Sequence, residues 1–154
     1  VDITSTAGPA MALQEVSRGA AFGDIDNDGD IDIAVAKNSG PARLLLNEAT
    51  TGNHWLTVRL QGTRGNRDGI GARVAILRDG RPILWRRAHT DGSYLSANDP
   101  RVHFGLGKEA GLDGVLVNWP DGSSEIWRNV GTDRFVTLTK GSGQPWAGET
   151  ALRR

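Results

Sequence analysis

The sequence predicts an all-β protein, and three observations support that fold class. The chain has 21 glycines in 154 residues and few runs of residues that favour helices. Ten short runs have the composition of β-strands, and they follow one another at spacings typical of a sandwich or barrel. Turn signals separate the runs, including the Asp-Gly pairs at residues 79–80 and 121–122, which suit tight hairpins.

The predicted strands follow one another along the chain from residue 18 to residue 139. The second strand is well marked, because Ile31, Ile33 and Val35 alternate with Asp32 and Ala34. The ten predicted strands are residues 18–22, 31–36, 43–46, 54–60, 72–78, 82–88, 102–106, 115–119, 123–127 and 134–139.

The eighth and ninth strands are expected to form a hairpin with residues 121–122 as a two-residue turn. This turn places Val117 opposite Ile126 and Leu116 opposite Trp127. Apolar residues then occur on both faces of the strand pair. We expect core on one side and another layer or a partner on the other.

An acidic loop at residues 24–32 carries the strongest chemical signal. It reads Asp-Ile-Asp-Asn-Asp-Gly-Asp-Ile-Asp. Carboxylates this close repel one another unless a cation lies among them. Ca²⁺ takes six to eight oxygens from a flexible loop, and a glycine at the sixth position permits the turn. Asp24, Asp26 and Asp28 supply positions one, three and five, the backbone carbonyl of Asp30 supplies position seven, and Asp32 supplies position nine.

Alternatives to this calcium loop are weaker. An EF-hand needs glutamate at position twelve and a helix on each side, whereas Val35 holds that position and the flanks resemble strands. Mg²⁺ keeps more of its own waters and rarely uses an all-protein cage. A solvated acidic turn with no ion is the remaining alternative.

The surroundings of the acidic loop resemble one FG-GAP (VCBS-type) repeat over residues 16–48. The segments that carry the resemblance are Phe22-Gly23, 24–32, 33–36, Asn38-Ser39-Gly40-Pro41 and Leu44-Leu45-Leu46-Asn47. Such repeats form blades of β-propellers in integrin α-subunits and in many secreted bacterial proteins. The resemblance implies that the five aspartates hold calcium at the edge of a blade.

A second resemblance covers residues 53–141 and points to the ASPIC/UnbV domain. This domain commonly follows FG-GAP repeats in cartilage acidic protein-like proteins, and it implies an extracellular binding or scaffold module more than a catalyst. The segments that carry it are Asn53-His54-Trp55-Leu56-Thr57-Val58, 66–74, Asp91-Gly92-Ser93-Tyr94-Leu95-Ser96, His103-Phe104-Gly105-Leu106-Gly107 and 115–122.

The two resemblances imply a blade-like calcium segment at 1–52, a β-sandwich of jelly-roll type at 53–141 and a tail at 142–154. A closed propeller has about four to eight blades, and a lone repeat leaves its faces uncovered. We therefore expect residues 1–48 to pack on the rest of the chain, on lost upstream sequence or on other chains. The hypothesis we favour is a C-terminal piece or subunit that docks onto other chains.

Charge and composition narrow the function further. Acidic and basic residues balance at 18 each, and the five loop aspartates leave 13 acidic residues elsewhere. This mild basic excess does not form the stripe typical of nucleic-acid binding. No apolar run is long enough to span a membrane, and the first residues lack the features of a signal peptide. Calcium loops of modest affinity fill outside the cytoplasm, so we predict a secreted or envelope-associated, periplasmic protein. The absence of cysteine fits a bacterial origin.

Other candidate sites have structural explanations. Gly69-Ile70-Gly71 lacks the third glycine of a dinucleotide site and is expected to form a turn. His54, His89 and His103 have no metal-ligand spacing. No nucleophile elbow occurs, and Asp91, Asp99 and Asp113 each suit a turn, so no catalytic residue is predicted.

The five tryptophans leave a second function open. Aromatic faces stack on sugars, so a carbohydrate-binding module with exposed tryptophans is the alternative to a structural module. Large aromatic residues more often fill cores and interfaces. Trp146, in the predicted tail, is expected to be the most exposed.

Overall fold

The computed structural model describes residues 2, 4, 6–49 and 51–146, and over these ranges the chain is nearly all β. It contains eleven strands in three sheets and one short 3-10 helix at Pro9–Ala12. Within the described ranges, no helix has the length and apolar character needed to cross a membrane. The predicted all-β class is confirmed.

All ten predicted strands form, each within one residue of its predicted bounds. They are β1 (Ser17–Gly23), β2 (Asp32–Lys37), β3 (Arg43–Leu45), β4 (His54–Gln61), β5 (Arg73–Arg78), β6 (Arg81–Arg87), β7 (Val102–Gly107), β8 (Gly114–Asn118), β9 (Ser124–Arg128) and β10 (Arg134–Thr139). An eleventh strand, β11 (Gln144–Pro145), lies in the segment predicted to be a tail. Two residues are too short to show a periodicity, so the sequence pattern misses it. Residues 147–154 of that tail lie outside the described residues.

The chain divides into two compact units. Unit 1 comprises Val1–Ala49 and Asp91–Asn98, and unit 2 comprises Thr50–Thr90 and Asp99–Arg154. The identity of residues 1–52 as an FG-GAP-like domain stays a prediction.

Unit 1 is an antiparallel sheet in the order β1-β2-β3, with the Asp91–Asn98 segment bonded to it. The Phe22 N–H donates to Asn98 Oδ1 at 3.0 Å, and the Ala20 N–H donates to Ser93 Oγ at 3.3 Å. These two side chains therefore satisfy backbone donors of β1.

Unit 2 is a β-sandwich made of the sheets β10-β4-β7 and β11-β9-β8-β5-β6. Strand β10 runs parallel to β4, and every other pair is antiparallel. Alternation along β4 turns Leu56, Val58 and Leu60 into the core, where they meet Val74 and Val117 from the second sheet. The two inner faces thus bury each other's apolar side chains, as in aligned sandwiches.

The five-stranded sheet also buries apolar residues on its second face. Ala75, Leu77, Leu116 and Ile126 form this smaller layer, and Trp146 packs against it. The prediction of apolar residues on both faces of the β8–β9 pair is confirmed. Trp146, which the sequence predicts to be exposed, is half-buried, because β11 pairs with β9 and places this side chain against the layer.

The register predicted for the β8–β9 hairpin is wrong by one residue. Val117 pairs with Glu125 and Leu116 with Ile126, so the loop has three residues instead of two. The Gly122 N–H donates to the Trp119 carbonyl at 3.0 Å, and Gly122 has a φ of 87°. Proline before the Asp-Gly pair favours a type I turn, which is followed by a glycine in the left-handed region.

The β5–β6 hairpin has the two-residue turn that its Asp-Gly pair predicts. Arg78 pairs with Arg81, and Asp79 and Gly80 have φ values of 51° and 69°. Positive φ at both central positions is the mark of a type I′ turn. The prediction of a tight hairpin at residues 79–80 is confirmed.

Candidate metal centre

The acidic loop closes the β1–β2 hairpin of unit 1. Gly23 at the end of β1 pairs with Asp32 at the start of β2, so the chain leaves and re-enters the sheet at adjacent positions. Extended segments therefore flank the loop on both sides, as its flanking sequence predicts, which separates it from the helix-flanked EF-hand.

Three carboxylates of this loop converge. One oxygen each from Asp24, Asp26 and Asp28 lies within 4.8 Å of the other two. Among the residues that the structure describes, this is the only group of three or more histidine, cysteine or acidic side chains that meets in this way. Positions one, three and five of the predicted calcium loop are thus brought together.

Asp24 organises the backbone of the loop from a buried position. Its side chain is only 2% exposed. Asp24 Oδ1 accepts a hydrogen bond from the Asp28 N–H at 3.1 Å, and Oδ2 accepts one from the Gly29 N–H at 2.9 Å. The chain therefore wraps around a carboxylate, which satisfies N–H groups that a tight loop would otherwise leave without partners.

Two residues in left-handed conformations make this wrapping possible. Asn27 has a φ of 63° and Gly29 a φ of 101°. Asparagine tolerates the left-handed region better than most side chains, and glycine enters it at no steric cost. The glycine at the sixth position therefore has the conformational role that the calcium-loop pattern predicts.

Asp32 braces the loop from its far end. It is 1% exposed, and its Oδ2 accepts a hydrogen bond from the Ile25 N–H at 2.8 Å. Its Oδ1 accepts one from the Asn47 N–H at 2.9 Å, just beyond β3. Asp32 lies outside the group of three converging carboxylates, and it ties both ends of the loop to the third strand.

Asp26, Asp28 and Asp30 complete the loop on its more exposed side. Asp28 Oδ1 accepts a hydrogen bond from the Asp30 N–H at 2.9 Å, and the carboxylate of Asp30 lies outside the converging group. Partial loss of hydration and then the neighbouring charge of Asp28 raise the pKa of Asp26 above its usual value. The carboxylates of Asp32 and Asp24 act in the same direction.

The donor set fits a hard divalent cation. The converging ligand atoms are all carboxylate oxygens, with no nitrogen or sulfur among them. Oxygen-only sets suit Ca²⁺, Mg²⁺ or Mn²⁺ more than Zn²⁺ or Cu²⁺. A backbone-wrapped loop with a glycine at its sixth position favours Ca²⁺, which accepts irregular geometry.

The histidines do not assemble a second site in the described part of the chain. His54 Nδ1 lies 2.7 Å from Asp133 Oδ2, and this hydrogen bond is the main cause of a lowered pKa of Asp133. His103 Nδ1 lies 2.9 Å from Thr57 Oγ1. Both side chains therefore have structural partners within unit 2.

The Gly69-Ile70-Gly71 segment forms the predicted turn before β5. Gly69 and Gly71 have φ values of 62° and 89°. A side chain at residue 69 would also collide with Leu60, since a Cβ there would lie 2.8 Å from the leucine Cβ. The glycines are therefore explained by backbone shape.

All five tryptophans lie among the described residues, and each is at least half-buried. Trp119 is buried and donates its Nε1–H to Glu125 Oε2 at 2.7 Å. The other four tryptophans, Trp55, Trp85, Trp127 and Trp146, are half-buried. The alternative of a carbohydrate-binding module that uses its tryptophans therefore stays a prediction.

Comparison with known proteins assigns most of unit 2. The family described as ASPIC and UnbV matches residues 62–145. Human cartilage acidic protein 1 is 30% identical over 135 residues, which cover 84% of this chain and 20% of the human protein. The mouse protein of the same name is 29% identical over the same shares, and the one from Xenopus tropicalis is 29% identical over 68% of this chain and 16% of its own length.

The chain spans about a fifth of the length of the human and mouse relatives. The matched family covers the sandwich from the end of β4 to β11. More than half of the chain is matched in this way, and the chain therefore belongs to the ASPIC and UnbV family.

Proposed function

We propose that this chain is an extracellular calcium-binding module with a structural role, which docks onto other protein chains through unit 1. The observation that carries the proposal is the convergence of the Asp24, Asp26 and Asp28 carboxylates around a loop with glycine at its sixth position. Ca²⁺ is the hard cation that such flexible, oxygen-only loops bind. The role is structural rather than catalytic.

The bound ion would supply positive charge where the loop concentrates negative charge. The raised pKa of Asp26 supports this, because loss of hydration and the neighbouring carboxylates disfavour its charged form. Asp24, Asp26 and Asp28 would hold the ion with the carbonyl of Asp30, while Asp32 keeps the loop aligned with β3. At ten times its dissociation constant, the ion adds about 1.4 kcal/mol to the stability of the folded state.

An extracellular setting follows from the same chemistry. Calcium loops of modest affinity fill at millimolar concentrations of the ion, which occur outside the cytoplasm. The relatives are named for cartilage, which is in keeping with this placement. Within the proposal, residues 16–48 are a single FG-GAP-like repeat, and their loop is its calcium site.

Docking is supported by the apolar surface of unit 1. Its sheet has three strands, and Leu44 on β3 is 51% exposed. Phe22 on β1 is 43% exposed and lies on the opposite face, because it pairs with Ile33 whereas Leu44 pairs with Ala34. Val16 and Leu46 beside the strands are exposed as well. Small sheets need a covered apolar face for stability, and clustered exposed apolar residues mark interaction sites. We infer that a second copy or another chain covers this sheet.

The calcium proposal is tested by melting temperature and titration calorimetry on calcium-loaded and chelated protein. We expect the chelator to lower the melting temperature and calcium addition to restore it. Asp28→Asn removes one ligand charge while keeping an acceptor for the Asp30 N–H, so it should weaken calcium binding and reduce the shift. No binding heat and no shift in the wild-type protein would refute the calcium site.

A matched control is Asp79→Asn in the β5–β6 turn. Asp79 has a φ of 51°, a conformation that asparagine tolerates, so the substitution removes a carboxylate without altering the loop. Its response to chelator should equal that of the wild type. An equal loss of calcium binding in both variants would mean that general charge, not the loop, attracts the ion.

Docking is tested by sedimentation velocity of the whole chain with calcium and with chelator. We expect a species heavier than the monomer, and Leu44→Glu should dissociate it. Ile83→Glu is the control, because Ile83 in unit 2 is 50% exposed, close to the 51% of Leu44. A monomer at every concentration would refute self-association through this sheet.

A further inference from the structure

A cleft of about 390 Å³ opens on the surface of unit 2. Its volume falls within the range of small-molecule sites, about 300–1,000 Å³. Its lining combines arginine and aspartate side chains with two apolar residues, one of which is Leu60. The other lining residues are Arg59, Arg67, Arg101, Asp68, Asp99 and Pro100.

Arg101 is held rigidly in this cleft. Its Nε donates to Asp99 Oδ2 at 2.6 Å, and its backbone N–H donates to Asp99 Oδ1 at 2.9 Å. The guanidinium carbon also lies 4.9 Å from the centroid of the Phe135 ring. A guanidinium fixed on two sides loses little rotamer freedom when a ligand binds, which favours affinity.

Two further charged residues of the cleft, Arg67 and Asp68, lie on the loop between β4 and β5. The side chain of Asn66 donates to the Ile70 carbonyl at 2.7 Å and accepts from the Ile70 N–H at 2.9 Å. The Gly62 N–H donates to the Arg67 carbonyl at 2.7 Å, which closes the other end. Arg67 and Asp68 therefore lie on a loop whose backbone conformation is fixed by hydrogen bonds at both ends.

Two of the three guanidinium groups are available to a ligand. Arg59 is exposed on β4 and makes no hydrogen bond or ion pair with any residue that the structure describes. The side chain of Arg67 is 79% exposed, and its Nε lies 3.5 Å from Asp68 Oδ1. An exposed pair at that distance holds the guanidinium only weakly. Arginine binds oxyanions with two parallel hydrogen bonds, so both groups suit an anionic oxygen ligand.

We propose that this cleft binds an acidic sugar of monosaccharide size. Arg59 and Arg67 bind the carboxylate or sulfate group, and Arg101 lies beside them. Asp68 and Asp99 accept hydrogen bonds from hydroxyl groups, because ionised carboxylates can only accept. Pro100, which is half-buried, presents apolar surface to the C–H face of the ring. A simple inorganic anion has no hydroxyl groups to donate to the two carboxylates, whereas a sugar has several.

This binding site is independent of calcium and of docking through unit 1, since all of its residues belong to unit 2. The test is an NMR titration of the calcium-loaded whole chain with glucuronate, glucose 6-sulfate and glucose. We expect saturable amide shifts at residues 62–71 and 99–101, with a dissociation constant of order 1 mM for a ligand of this size. Glucose should bind at least about tenfold more weakly, because it lacks the oxyanion.

Substitutions decide whether the arginines act as proposed. Arg59→Gln and Arg67→Gln should each weaken glucuronate binding about three- to tenfold without changing the melting temperature. Arg81→Gln is the matched control, since Arg81 is an exposed arginine at the start of β6 and does not line the cleft. A lower dissociation constant for glucose 6-sulfate than for glucuronate would identify sulfate as the preferred group. Absence of saturable shifts with both acids, equal binding of glucose, or equal loss of binding in Arg81→Gln would overturn the proposal.

Discussion

The two units of this chain are stabilised in different ways. All seventeen buried apolar side chains found among the described residues belong to unit 2, and their mutual packing defines the sandwich. In unit 1 the buried side chains are those of Asp24 and Asp32. One unit is thus stabilised by apolar burial, whereas the other is organised around carboxylates that hold the backbone.

This difference predicts that the stability of the two units depends differently on ions and partners. Apolar burial is non-directional and needs nothing from the solvent beyond water. Buried carboxylates must be satisfied by hydrogen bonds and by positive charge, or their desolvation costs free energy. In the proposed function, a cation supplies the positive charge to unit 1 and another chain covers its sheet, whereas the sandwich of unit 2 needs neither for its apolar core.

The largest expected effect separates the two cores. Phe104→Ala should lower the free energy of unfolding by about 3–5 kcal/mol, because it empties a fully buried position in the sandwich. Phe22→Ala in unit 1 removes the same atoms from a side chain that is 43% exposed and should cost less than about 1 kcal/mol. Urea denaturation of both variants measures the difference, and equal losses would contradict the contrast between the units.

A smaller loss of stability is expected from removing the Asp32 carboxylate, which accepts hydrogen bonds from both the acidic loop and Asn47 beyond β3. Asp32→Ala leaves the Ile25 and Asn47 N–H groups without their acceptor and should cost about 2–3 kcal/mol, even with chelator present. Hydrogen exchange should show faster exchange at these two amides.

Asp30→Ala is the control for this brace. The carboxylate of Asp30 accepts no hydrogen bond from the residues described, and the proposed calcium ligand at this position is its carbonyl oxygen. The variant should therefore keep slow exchange at Ile25 and Asn47. Equal protection in the two variants would show that Asp32 does not brace the loop.

The smallest expected effect concerns the pH dependence of unit 1. Arg43 and then Lys37 bind the Glu15 carboxylate at 2.6 and 2.9 Å and lower the pKa of Glu15 from 4.5 to about 2. Because the folded-state pKa is depressed, this contribution is complete above pH 4.5 and is lost as the pH falls toward 2.

Glu15→Gln should remove this part of the acid sensitivity. The difference in stability between wild type and variant, measured by denaturation from pH 6 to pH 2, should shrink as the pH falls. Glu48→Gln is the control, since the side chain of Glu48 has no partner among the residues described. A difference that is constant with pH would show that the ion pair does not form in solution.

Local chemistry accounts for what could be predicted. Strand periodicity located β1 to β10, and the Asp-Gly pair at residues 79–80 predicted its hairpin, because both depend on neighbouring residues alone. The acidic loop is local as well, since Asp24 and Gly29 meet within six residues. The β8–β9 register could also have been predicted from the proline that precedes its Asp-Gly pair.

The features that could not be predicted from the sequence depend on contacts between distant segments of the chain. The sequence predicts an exposed Trp146 because β11 is too short to be recognised from its pattern. Only the pairing of β11 with β9 places this side chain against the apolar layer. The bond from the Phe22 N–H to Asn98 crosses 76 positions of the chain, and no pattern at either end indicates it.

The sequence by itself determined the strands, the turns and the acidic loop with its calcium-type spacing, because each is set by the order of adjacent residues. Only the tertiary structure decided that Asp24 and Asp32 are the buried side chains of unit 1, and that Arg59, Arg67 and Arg101 line one cleft. Burial and charge convergence depend on which distant segments meet, and that depends on how the whole chain packs.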